Sequence, residues 1–186
     1  GAFFVATALS VAVDHWDASQ VTLENVRFLR PLVLTAPTRL HIRLSLISGE
    51  DATEIEISTG NDTDGWRVHF EAIARSEASP PSLQGSPQDA ATATDLMSPE
   101  QFDARLAALH LDRGPRWGGL RWVKSGDRGT YLEVRGPAGA ALEAPLHPVL
   151  LDTCLVASLA SVMVEDSASS RTPRLPYNIE SLRWYG

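Results

Sequence analysis

Two stretches of this sequence are apolar on nearly every side of a helix. From Ala2 to Trp16, Phe3, Phe4, Ala6, Leu9, Ala12 and Val13 recur at helical spacing, and small alanines let neighbours pack closely. From Pro148 to Val164 the pattern returns, interrupted by Asp152 and Ser158. A helix of this kind needs cover on all sides. A curled antiparallel sheet wrapped around each one supplies it. Neither stretch reaches the roughly 18 apolar residues that a membrane helix requires, so no membrane partner is expected.

The residues between them read as strands. Val21, Leu23, Val26 and Phe28 mark one strand over Val21 to Leu34, with Arg30-Pro31 breaking its ladder or marking its edge. Leu40, Ile42, Leu44 and Leu46 alternate with His41, Arg43 and Ser45, which predicts one buried and one wet face. Ile55 and Ile57, then Trp66, Val68 and Phe70, continue the alternation across a turn at Gly60 to Gly65. The first part is therefore expected to be a helix followed by a meander of about four antiparallel strands.

Ser76 to Thr94 holds Pro80, Pro81, Pro87 and several serines, and reads as a linker. Ser98-Pro99-Glu100-Gln101 has the residues of a capping box, with Ser98 as N-cap, and Phe102, Leu106 and Leu109 give the helix after it an apolar face. Strands are expected over Gly114 to Lys124, after a turn, and over Gly129 to Arg135. Gly136 to Pro145 reads as a loop, and a further strand begins at Leu182, Trp184 and Tyr185. The organisation that emerges is residues 1–75 as one subdomain, 76–97 as linker and 98–186 as a second subdomain. The fold class is α+β: a double hotdog, in which two long apolar helices are each wrapped by a curved antiparallel sheet. A generic α+β domain fits the periodicity as well.

A net charge of −7 excludes the basic footprint of a nucleic-acid surface. Cys154 is the single cysteine, so no internal disulfide forms, in keeping with a reducing cytoplasm. His15, His41, His69 and His110 lack metal-ligand spacing. No phosphate loop, Ser-His-Asp arrangement or dinucleotide fingerprint is present.

Four segments, in order, resemble one family. Leu146-His147-Pro148-Val149-Leu150-Leu151-Asp152 is similar to the His-Pro…Leu-Asp motif that opens the second hotdog helix of polyketide synthase dehydratases. Leu111 to Leu120, with Gly114-Pro115-Arg116-Trp117, resembles that family's Tyr-Gly-Pro-x-Phe motif, and Leu175-Pro176-Tyr177 its Leu-Pro-Phe motif. Leu23 to Leu34 looks like a strand of the first hotdog. The resemblance implies a hydro-lyase that removes water from a β-hydroxyacyl group carried on the phosphopantetheine of an acyl carrier protein. It implies no bound cofactor or metal. The implied partners are that carrier and neighbouring synthase domains, and a homodimer is expected.

The resemblance also assigns residues. Asp152 becomes the catalytic carboxyl group. Gly1, Pro115, Trp117, His147, Val156 and Pro176 become substrate-binding positions. Family domains begin with a His-x-x-x-Gly-x-x-x-x-Pro motif, and Gly1-Ala2 resembles the residues that follow it. The catalytic histidine is thus expected before Gly1, and further strands after Gly186. Read from its own chemistry, Asp152 faces two opposing effects, since desolvation raises its pKa and the helix N-terminus favours its anion. His147 equally suits a structural role at a loop–helix junction, Trp117 a core role, and Gly1 close packing. Among the departures from the family, which include Trp117 in place of a phenylalanine, two bear on the chemistry. Val156 replaces the Gln or His that orients the aspartate, and Arg113 replaces a tyrosine. These keep open a double-bond shift, an oxygen ring closure, or a non-catalytic scaffold.

Overall fold

The computed structural model describes residues 1–33, 36–61, 65–76, 87–111, 119–126, 129–136, 145–157 and 177–185. The chain divides into two compact units. The first holds Gly1–Pro81, Leu142–Leu146 and Pro176–Gly186; the second holds Ser82–Ala141 and His147–Leu175.

In the first unit, α1 spans Ala2–Trp16, as its periodicity predicts. It ends at Asp17, which takes a left-handed conformation and donates its N–H to the Val13 carbonyl. Ala2, Ala6, Ala8 and Ala12 are buried alongside Phe4, Val5 and Leu9, so the backbone sits close to the sheet beneath it. Burying each of Phe4, Val5 and Leu9 stabilises the fold by about 1.5–3 kcal/mol.

That sheet has five strands in the order β2-β3-β4-β1-β8. They are β1 (Gln20–Phe28), β2 (His41–Leu46), β3 (Ala52–Asn61), β4 (Gly65–Ser76) and β8 (Asn178–Tyr185). Only β2, β3 and β4 form a meander; β1 pairs antiparallel with β4 instead of β2. Local alternation could not reveal this, because it marks a strand's faces and not its neighbours. The inner face carries Leu23, Ile55, Ile57, Phe70 and Ala74, all fully buried or nearly so. The outer face carries charge. Arg43, Glu56, Glu71 and Arg27 lie in one cross-strand row, with ion pairs Arg43–Glu56 and Arg27–Glu71. One greasy and one wet face is the ordinary design of an antiparallel sheet packed on a helix.

Two details depart from expectation. The apolar side of β2 is partly uncovered, with Leu44 38 % and Leu46 77 % exposed, because β2 is the edge strand and α1 packs on β1 and β4. The strand at the chain's end, expected in the second subdomain, is β8, and it pairs with β1 in the first unit. β3 and β4 pair out to Asn61 and Gly65, and residues 62–64 of the expected turn lie outside the described residues. A Cβ on Gly60 would stand 2.1 Å from the Gly65 carbonyl oxygen, so only glycine fits there.

The second unit holds a three-stranded sheet in the order β5-β6-β7, made of β5 (Thr94–Met97), β6 (Leu120–Gly126) and β7 (Gly129–Val134). Among the described residues three helices accompany it: α2 (Pro87–Thr92), α3 (Pro99–Ala108) and α4 (Pro148–Ala157). Both α2 and β5 fall within the stretch read as linker. They are short, and Thr94-Asp95-Leu96-Met97 lacks a full alternating period. The Ser98 capping box forms as read: its hydroxyl accepts the Gln101 N–H, and the Gln101 side chain accepts the Ser98 N–H. Phe102 and Leu106 of α3 join Met97, Leu120, Val123 and Ala157 in one core cluster. Among the described residues no helix is long and apolar enough to cross a membrane.

Candidate active site on the second apolar helix

The helix α4 begins where its residues make a beginning cheap. Pro148 occupies the first helical position, where a missing N–H costs nothing. The His147 ring then serves the second position: its Nδ1 accepts the Val149 N–H at 3.2 Å. An accepting Nδ1 carries no proton, which places the ring proton on Nε2. The His147 carbonyl accepts the Leu151 N–H at 3.2 Å. One turn on, the fully buried Thr153 hydroxyl donates to the Val149 carbonyl at 2.9 Å.

Asp152 lies between the buried Leu151 and Thr153 and is itself half-buried. It is the fifth helical residue and so sits past the first turn. The pull of the helix N-terminus on a carboxylate fades over that turn. Val156 is one turn further along the same side of the helix, half-buried against the Phe102 cluster. The helix thus brings Asp152 and Val156 together, with His147 at its start. Cys154, on another side, is exposed; the packing that remains around its sulfur pushes the thiol pKa up through desolvation.

Gly1 belongs to the first unit and starts α1. Its carbonyl accepts the N–H groups of Phe4 at 3.0 Å and Val5 at 3.4 Å. A Cβ there would rest 3.6 Å from the Phe28 ring, an ordinary contact, so crowding does not demand glycine. Pro115, Trp117 and Pro176, together with Arg113, lie outside the described residues.

Sequence reasoning passed over two polar features. Thr153 hides in an apolar run, and its only signal was a hydroxyl four residues after Val149. His69 is buried in the first unit, where Nδ1 donates to the Arg30 carbonyl at 3.3 Å and Nε2 meets the Thr59 hydroxyl at 2.8 Å. It ties the chain after β1 to the β3–β4 hairpin, a structural duty. A cleft of about 350 Å³ also opens between β5, β6 and the start of α3, lined by Asp95, Met97, Arg121 and Trp122 among others. Of the candidate site residues that are described, Gly1, His147, Asp152 and Val156 do not line it. Among the described residues, no group of three His, Cys, Asp or Glu side chains is placed to hold a metal ion.

Comparisons with known proteins agree with this architecture. The chain is 25 % identical over 177 residues to the highly reducing polyketide synthase claI of Penicillium crustosum, covering 87 % of this chain. It is 26 % identical over 183 residues to the phenolphthiocerol synthesis polyketide synthase type I Pks15/1 of Mycobacterium marinum, covering 95 %. It spans 7 % and 8 % of the length of these two curated relatives. Among solved structures, the dehydratase domain from the CurF module of curacin polyketide synthase superposes with a TM-score of 0.84 at 17 % identity, over 100 % of this chain and 68 % of that one. The CurK dehydratase gives a TM-score of 0.78 at 18 % identity, over 97 % and 68 %, in two inactive mutants: one has an aspartate changed to asparagine, the other a histidine changed to phenylalanine. These likenesses establish the double-hotdog fold. The profile of the polyketide synthase dehydratase N-terminal domain matches residues 81–186, more than half of the sequence, and the chain therefore belongs to the polyketide synthase dehydratase family.

Proposed function

We propose that this chain is part of a dehydratase that removes water from a β-hydroxyacyl thioester held on an acyl carrier protein, giving the enoyl thioester. Loss of water needs a base to take the Cα proton and an acid to protonate the leaving hydroxyl. Asp152 takes the second role, and a histidine outside residues 1–186 takes the first. The Cα proton passes to the histidine while the Cβ hydroxyl leaves as water with the proton of Asp152; return of a proton from the histidine to the carboxylate resets the pair, and because the net change is loss of H and OH no redox partner is required. The substrate arrives on the carrier's phosphopantetheine arm, and neighbouring synthase domains supply and consume it.

One observation supports this reading above the others: within a dehydratase fold, a half-buried carboxyl group sits in the apolar helix α4 between two buried neighbours. The inactive aspartate and histidine mutants of the CurK dehydratase are consistent with a shared two-residue chemistry. The test is turnover of a β-hydroxyacyl carrier-protein thioester by the full-length protein that carries this chain, followed by mass spectrometry. Loss of one water with an α,β-double bond is the expected result. An unchanged mass would point to a scaffold, and a shifted double bond or oxygen ring to the related reactions.

A further inference from the structure

We propose that His147 is a positioning residue whose ring nitrogen caps α4 and thereby fixes the turn that carries Asp152. This rests on the reading of Asp152 as the acid. Pro148 has no N–H, so Val149 presents the first N–H of this helix after the proline, and the His147 Nδ1 accepts it at 3.2 Å. The Thr153 hydroxyl holds the carbonyl of that same residue at 2.9 Å. Val149 is thus gripped at both polar ends, by the residue before the helix and by the residue after Asp152. The His147 carbonyl also accepts from Leu151, the residue before Asp152. The backbone on either side of Asp152 is therefore tied, directly or through Val149, to the start of the helix.

A carboxyl group that must meet a leaving hydroxyl gains from such restraint, since a misplacement of about 1 Å can cost on the order of 10²-fold in rate. The ring acts through the helix and does not touch the substrate. Asparagine can replace it, because its side-chain oxygen is a good N-cap acceptor; leucine cannot.

The experiment compares His147→Asn, His147→Leu, Asp152→Asn and the double variant His147→Leu/Asp152→Asn in the full-length protein, reading kcat, KM and Tm. We expect His147→Leu to lower kcat about tenfold or more with KM little changed, and to lower Tm, while His147→Asn restores most of both. The double variant should be no slower than Asp152→Asn alone, because two residues acting as a unit are not additive. Equal loss in the Asn and Leu variants, no loss of kcat in the Leu variant, or a further loss in the double variant would each overturn the proposal. Wild-type turnover by Asp152→Asn would remove the acid assignment itself, and the Tm pattern would still report separately on the cap.

Discussion

Replacing Val156 with glutamine puts an amide one helical turn from Asp152, on the same side of α4. Val156 is half-buried against the Phe102 cluster. Full burial of a valine is worth roughly 1.5–3 kcal/mol, so about 1 kcal/mol of packing is at stake. The new amide either reaches the Asp152 carboxyl group or is left without a partner. A hydrogen bond returns about 1 kcal/mol, whereas a buried unsatisfied amide costs a further 1–3 kcal/mol or so. The Val156→Gln variant should therefore lose no more than about 1 kcal/mol. Val156→Ala supplies the baseline, with a packing loss of about 1 kcal/mol and no new polar group. The assay is urea unfolding of both variants in the full-length protein, with turnover measured beside it. Turnover in Val156→Gln should be retained, since the amide restrains the carboxyl group. A loss above roughly 3 kcal/mol would refute the reasoning, because it would mean that the amide is driven into the core and not beside Asp152.

Other expectations follow from single contacts. Ser98→Ala removes half of the capping box of α3 and should cost about 1 kcal/mol by urea unfolding, with Ser98→Asp close to neutral. Trp184→Phe removes the indole N–H that donates to the Pro145 carbonyl at 3.0 Å, and should lower stability by about 1 kcal/mol in the same measurement. The Cys154 thiol, its pKa raised by desolvation, stays protonated at neutral pH and should alkylate with iodoacetamide more slowly than the urea-unfolded chain. Because the folded-state pKa is the higher one, that difference should narrow as pH rises through it; equal rates at pH 8 would contradict the assignment.

Much of this architecture is legible in the residues because its signals are local. The bounds of α1 follow from helical spacing, and the start of α3 follows from Ser98, Pro99 and Gln101, since caps and periods act over a few residues. Strand pairing does not act locally. The sequence of β1 says nothing about whether β2 or β4 lies beside it, and nothing in Leu182, Trp184 and Tyr185 directs β8 to the first unit. The exposure of Leu46 likewise depends on which strand is the edge. At the candidate site, the physics of an aspartate in an apolar run is ambiguous, and only the resemblance of the motif around His147 and Asp152 points to an acid role. The role of His147 was open in the sequence because a cap depends on ring orientation. Thr153 was silent because a threonine that bonds its own helix leaves no pattern.

In the proposed reaction the Asp152 carboxyl group meets the β-hydroxyl of a thioester substrate. A structure of the full-length protein with a stable β-hydroxyacyl pantetheine analogue tests it most directly. The analogue's hydroxyl oxygen is expected within about 2.6–3.2 Å of an Asp152 carboxylate oxygen. An occupied site in which that hydroxyl lies well beyond hydrogen-bond reach of Asp152, satisfied by other groups, would contradict it.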